Sequence, residues 1–287
     1  MSNPRGTLPK APAERAPGAG APAAASAPVA GLAFDLDGTV YLSSQLLPGA
    51  LELLGALAHA GVPYVFATNN SSKSGAQYLE HLRALGLGVE RAQLLTSNDV
   101  AVAYLRGAGL ARPYLVATPT VEEEYRAAGI EPTTAGPDAV LLTFDTTLTY
   151  DKLRRASDLI RSGLPYFATH PDSVCPTPSG PIPDCGAFAA LLFEATGVRP
   201  VVLGKPEAHM ARAIQARLGL PARRIAFVGD RLYTDVRMAN DHGFQAVLTL
   251  TGEASRDDLT ASPYVPDVVV EDLRDLHAHL RRVGTVA

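Results

Sequence analysis

In the segment GLAFDLDGTV, residues 31–40, an apolar run ends in two carboxylates one residue apart. On an extended strand, side chains two apart share a face, so Asp35 and Asp37 aim at the same space and repel each other. A metal ion or a shared proton would relieve that repulsion. So would plain turn capping, because Asp and Gly are common turn formers. Three more segments weigh on the choice: Thr68 and Asn69 in YVFATNNSS, Lys205 in PVVLGKP and Asp230 in RIAFVGDRLYTD each close an apolar run. Two acids, two hydrogen-bonding side chains, a lysine and a further acid compose a site for a magnesium ion and a phosphoryl group.

The chemistry assigns roles within that set. Asp35, a carboxylate ionised at neutral pH, is suited to attack phosphorus and form an aspartyl phosphate. Asp37, its pKa raised by its neighbour and by partial closure of the site, would protonate the leaving oxygen and later take a proton from water. Lys205 would neutralise phosphoryl oxygens and the aspartate pair, with Pro206 at the first position of the following helix. Thr68, Asn69 and Asn70 would bind the phosphoryl group. They precede Ser74 and Gln77, whose capping-box spacing predicts a helix N-terminus with amides facing the phosphate. Asp230 would complete the metal shell of the Asp35 and Asp37 pair, and Asp235 would ligate the ion directly or through water. Singly, each signal also fits a solvated strand end, a helix cap or a turn. Their order along one sheet outweighs that reading.

The elements that must position these residues follow from periodicity. Short apolar runs alternate with helical patterns from Leu32 to QLLTS, and again from PVVLGK to DVVVED, which predicts a parallel sheet covered by helices. In such a doubly wound α/β sheet the ligand crevice forms at the carboxyl ends of the strands, where the scattered polar residues converge. The segment between Asn70 and Lys205 is far too long for a βα loop and carries strands and helices of its own. The expected organisation is therefore a tail over residues 1–28, a catalytic core over 29–97 and 197–287, and an inserted α/β cap over 98–196. The tail is built from Ala, Pro, Gly and Ser, a composition that predicts disorder.

Composition removes other classes. A formal net charge of −4 without a basic run argues against nucleic acid. No apolar run nears the roughly 20 residues a bilayer span needs, so no membrane partner is expected. Two cysteines, Cys175 and Cys185, lack zinc-site spacing and read as reduced thiols of a cytoplasmic protein.

Taken together, DLDGTV, ATNNSS, GKP and GDRLYTD resemble the successive motifs of the haloacid dehalogenase superfamily. In that superfamily the first Asp is the nucleophile and the second the acid/base. Too few residues follow Gly38 to hold a cap there, and the insertion instead follows the Thr motif. That placement resembles subfamily IIA, the NagD-like and para-nitrophenyl-phosphatase-like phosphatases. The resemblance implies a magnesium-dependent phosphatase for a small phosphate monoester, such as a sugar phosphate, phosphoglycolate or a nucleotide. It also implies that the loop ATHPDSVCPTPSGPIPDCGAF leans over the core and reads the leaving group. His170 stands where members assigned to sugar phosphates or nucleotides often carry Asn or Asp; it and Asp172 could contact substrate, or could serve the loop's own hydrogen bonds. Asp184 reads as a helix N-cap. A receiver-like signalling domain and a phosphomutase are the alternatives, although receivers lack both the second Asp and a cap. The oligomeric state stays open, a homodimer among the options.

Overall fold

A computed structural model describes residues 28–177 and 179–286. The expected tail thus lies almost wholly outside the described residues. The chain enters through β1 (Gly31–Phe34) and a short hairpin, β2 (Tyr41–Leu42) and β3 (Gln45–Leu46). It continues through α1 (Ala50–His59), β4 (Tyr64–Thr68), α2 (Gly75–Ala84), β5 (Leu94–Thr96) and α3 (Ser97–Gly107). Next come β6 (Tyr114–Val116), α4 (Pro119–Ala127), β7 (Val140–Leu142), α5 (Tyr150–Arg161) and β8 (Tyr166–Ala168). A hairpin of β9 (Val174–Cys175) and β10 (Ile182–Pro183) leads to α6 (Cys185–Thr196) and β11 (Val201–Val202). The chain closes with α7 (Ala208–Leu218), β12 (Ile225–Gly229), α8 (Arg237–His242), β13 (Gln245–Thr249), α9 (Asp258–Ala261), β14 (Val268–Val270) and α10 (Leu273–Arg282).

Six strands form one sheet in the order β14-β13-β12-β1-β4-β5, all parallel. Its strands are apolar on both faces because helices cover both. Leu32, Phe34, Phe66 and Val228 pack into one cluster and Ala33, Val65, Ala67 and Phe227 into another. The chain winds outward in opposite directions from β1 and β12. Their carboxyl ends therefore border the crevice expected at the point where strand order reverses.

A second parallel sheet, β11-β8-β7-β6, belongs to an inserted α/β cap. Two expectations change here. Val201 and Val202 pair with Phe167 and Ala168 in this second sheet, not with a core strand. An apolar run announces a strand but not the sheet it joins, and this one reaches beyond residue 196. The helix after Lys205 begins at Ala208, so Pro206 precedes it rather than occupying its first position; the Lys205–Pro206 peptide is cis.

Candidate active site

Asp35 follows β1 directly and is held by its backbone amide, which donates to Val228 O at 2.8 Å. Lys205 comes in on the segment after β11, and its Nζ lies 2.5 Å from Asp35 Oδ1 and 2.9 Å from Asp235 Oδ1. All three side chains are buried. Burial alone would favour a neutral lysine, but the Asp235 and Asp35 carboxylates outweigh it and raise the pKa of the ammonium. Asp235 is placed by a wide helical turn, Leu232–Val236, and its Oδ2 accepts the Arg231 amide at 3.1 Å.

Asp230, after β12, completes a buried acidic cluster. One oxygen each from Asp35, Asp230 and Asp235 lie within 4.8 Å of one another. Asp230 Oδ2 accepts from Glu253 N at 2.8 Å, whereas its Oδ1 is buried without a partner. Burial first, then the charges of Asp35 and Asp235, raise its pKa well above the ordinary carboxylate value. Lys205 pairs with Asp35 and Asp235, and among the described residues no cation pairs with Asp230. An orphaned carboxylate oxygen in an all-oxygen donor set fits a hard divalent cation. Backbone close by keeps that carboxylate in place: a Cβ on Gly252 would stand 2.0 Å from Asp230 Oδ2, and one on Gly38 2.5 Å away. Gly38 also has φ +84°, a left-handed conformation that favours glycine.

Asp37 stands outside this three-residue cluster. Its carboxylate accepts from Tyr41 Oη at 3.1 Å, and its side chain is not among the three acids that gather within 4.8 Å of one another, where it was expected as a ligand. Its pKa is raised to about 6 by burial and by the neighbouring Asp35 charge. A carboxyl group poised there can both give and take a proton near neutrality.

Asp35, Asp37, Thr68, Asn69, Asn70, Asp172, Lys205 and Arg231 all line one cavity of about 30 Å³. Thr68 Oγ1 accepts from Asn70 N at 3.2 Å. Asn69 braces the lysine's backbone, accepting from Lys205 N at 2.8 Å and donating to Lys205 O at 3.0 Å. A second cavity, about 370 Å³, shares Asp37, Asn70, Cys175 and Pro176 with the first, and so opens beside the acid that would protonate a leaving group.

Other sequence expectations land elsewhere. Ser74 and Gln77 do form a capping box, but the Gly75 amide donates to Glu124 Oε1 of α4 at 2.8 Å. That amide is taken by a carboxylate and is not free for phosphate. His170 is fully buried and does not line the catalytic cavity. Its Nε2 is 3.2 Å from Ser71 Oγ, and its Nδ1 is 3.5 Å from Asp172. Its ring thus braces the loop instead of facing substrate. Asp184 caps α6, accepting from Cys185 N. Arg231, not singled out in the sequence, reaches the cavity wall beside Asp230 and lies 3.4 Å from Asp172.

The family model described as haloacid dehalogenase-like hydrolase matches residues 32–131, and a second HAD hydrolase-like model matches residues 202–276. A 4-nitrophenylphosphatase structure from Thermotoga maritima is 39% identical, with a TM-score of 0.84 over 87% of this chain and 97% of that one. The chain belongs to the haloacid dehalogenase superfamily. Within that superfamily its neighbours are of the NagD and p-nitrophenyl phosphatase type. NagD from E. coli K-12 is 26% identical, with a TM-score of 0.80 over 86% of this chain and 98% of the other. A glycerol phosphate phosphatase from Mycobacterium tuberculosis, solved with magnesium, is 34% identical, with a TM-score of 0.80 over 87% and 77% of the two chains. This superfamily member is a phosphomonoester hydrolase.

Proposed function

We propose that the protein is a magnesium-dependent phosphatase that hydrolyses a small phosphate monoester through an aspartyl phosphate on Asp35. The ester would be a sugar phosphate, phosphoglycolate, a nucleotide or a similar metabolite, met in the cytoplasm. Residues 29–97 and the chain beyond β11 act as the catalytic core in this reading, and the second sheet, with its edge extended to take in β11, as the cap. The observation that carries it is the buried meeting of Asp35 with Lys205, Asp230 and Asp235, with the raised carboxyl of Asp37 next to it.

The side chains then divide the reaction between them. Asp35 presents an ionised oxygen to phosphorus. Lys205, locked between Asp35 and Asp235, offers positive charge to the equatorial oxygens without reorganising. Thr68 and Asn70 line the cavity where those oxygens would rest. Asp37 gives its proton to the departing alcohol and then accepts one from the water that attacks the intermediate. A magnesium ion bound by Asp35, Asp230 and Asp235 would supply charge neutralisation at the phosphoryl group. The adjoining cavity of about 370 Å³ has room for a small alcohol, which suits metabolite esters better than polymers.

Purified protein assayed for phosphate release against a panel of small esters, with magnesium and with excess chelator, tests this reading. Turnover that requires magnesium is expected. Release of phosphate at the same rate in chelator would overturn the metal assignment, and no release from any ester would overturn the reading as a whole.

A further inference from the structure

Asp172 sits on the cap loop, yet its carboxylate reaches into the core. Its Oδ2 accepts from Asn69 Nδ2 at 3.2 Å and lies 3.4 Å from Arg231 Nη1. All three residues line the catalytic cavity. Asn69 is the side chain that brackets the Lys205 backbone from both sides, and Arg231 directly follows Asp230. Arg231 also pairs with Glu253, whose own amide holds Asp230. One cap carboxylate is therefore joined through Asn69 to the segment that carries the lysine, and through Arg231 to the one that carries the third acid of the site.

A carboxylate facing a phosphoryl pocket would repel the substrate if it stood alone. Paired with Arg231 it does not. Arg231 without Asp172 would in turn lose its largest compensating charge, keeping Glu253 on a more exposed side and the more distant carboxylates of Asp230 and Asp35. Each member offsets the other's charge in the pocket, and one comes from the cap loop and the other from the segment after β12. From these contacts, and resting on the phosphatase reading, we infer that Asp172 and Arg231 form a cap-to-core clasp. Seating of the cap loop aligns Asn69, Lys205 and Asp230 for every substrate, rather than reading any one leaving group. Arg231 is on this account a positioning residue, and Asp172 acts through it. Closure of this kind governs the turnover step more than the affinity for substrate.

Asp172→Asn, Arg231→Gln, Arg231→Lys and the double variant that combines Asp172→Asn with Arg231→Gln test the clasp on p-nitrophenyl phosphate and glycerol phosphate, with magnesium present. A displaced constellation costs on the order of 10²-fold, so each single neutral variant is expected to lower kcat by about that factor on both esters, with KM little moved. Arg231→Lys should recover much of the loss. The double variant should be no worse than the poorer single one, since residues acting as a unit do not contribute independently. A loss confined to glycerol phosphate would overturn the inference and make Asp172 a reader of the leaving group. Multiplying losses, or no loss, would overturn it as well. Hydrogen exchange follows the same variants without relying on turnover: faster exchange across the loop 169–184 in Asp172→Asn, with β1 and β12 unchanged, is expected. Unchanged exchange in the loop contradicts the clasp even if no ester is hydrolysed, and absence of hydrolysis by the wild type would instead sink the phosphatase reading.

Discussion

Lys205 lies 170 residues beyond Asp35 in the chain, and its Nζ is 2.5 Å from that residue's Oδ1. No other lysine reaches the cavity among the described residues. The pair is buried, so removing one member leaves the other uncompensated. Breaking such a pair costs about 3–5 kcal/mol. Lys205→Met should therefore lower stability in the absence of metal, and magnesium should recover part of the loss by screening the three acids. Urea unfolding with and without the ion measures this. Equal stability in both conditions, together with retained turnover, would remove the lysine from the account.

Asp230 depends on two glycines. A Cβ on Gly252 would meet its Oδ2 at 2.0 Å, so Gly252→Ala must displace the carboxylate or the loop that carries it. The expected outcome is a large rise in the magnesium concentration giving half-maximal activity, with a smaller change in melting temperature. Gly38→Ala should be worse, because its φ of +84° adds backbone strain to the contact. An unchanged magnesium titration for Gly252→Ala would show that Asp230 takes no part in holding metal.

Asp184 gives a pH signature independent of the acids at the metal cluster. Burial raises its pKa from the ordinary 3.8 to about 6, against the opposing influence of His170, the Cys185 amide and Arg231; Asp172 adds to the rise. The folded protein thus holds this proton more tightly than the unfolded chain does. Between pH 6 and 3.8 stability attributable to Asp184 should increase as pH falls, and it is least above pH 6. At about 1.4 kcal/mol per unit, the effect is on the order of 3 kcal/mol. Asp184→Asn keeps a helix cap while removing the titration. Its stability relative to wild type should be higher at pH 7 than at pH 4; a difference independent of pH would contradict this origin.

Much of this site was legible because it is built at strand ends. Asp35, Thr68 and Asp230 close runs whose apolar character demanded burial, and parallel sheets collect such ends in one crevice. Lys205 was legible as a residue but not by its route, since Val201 and Val202 read equally well as a strand of either sheet. Arg231 escaped because a cation beside an acid ordinarily reads as a solvated pair. Only the approach of Asp172, from a distant part of the sequence, turns it inward. The same limit applies to the α2 N-terminus. Its capping box was readable from local spacing, but the Glu124 carboxylate that fills it comes from the cap. His170, similarly, carries the residue type of a substrate contact, and only packing shows it sealed against Ser71 and the two loop aspartates.

Asp37 separates the two halves of the reaction. Asp37→Asn removes the acid/base group while leaving Asp35 and Lys205 in place, so an ester with a good leaving group should still transfer its phosphoryl group, and the intermediate should then persist. Turnover is expected to fall by about 10²–10⁴-fold, the range for general acid–base catalysis. Unimpaired steady-state hydrolysis of an alkyl phosphate by this variant would take the role away from Asp37.

The central claim is that phosphorus is attacked by Asp35, and the persistence of that intermediate makes it directly observable. Asp37→Asn, mixed with p-nitrophenyl phosphate and magnesium, quenched in acid and digested, should yield a phosphorylated peptide. Fragmentation should place the added phosphoryl group on Asp35, and the same treatment of a protein that also carries Asp35→Asn should yield none. Phosphate found on any other side chain, or nitrophenol released in a burst with no phosphorylated peptide, would contradict the account.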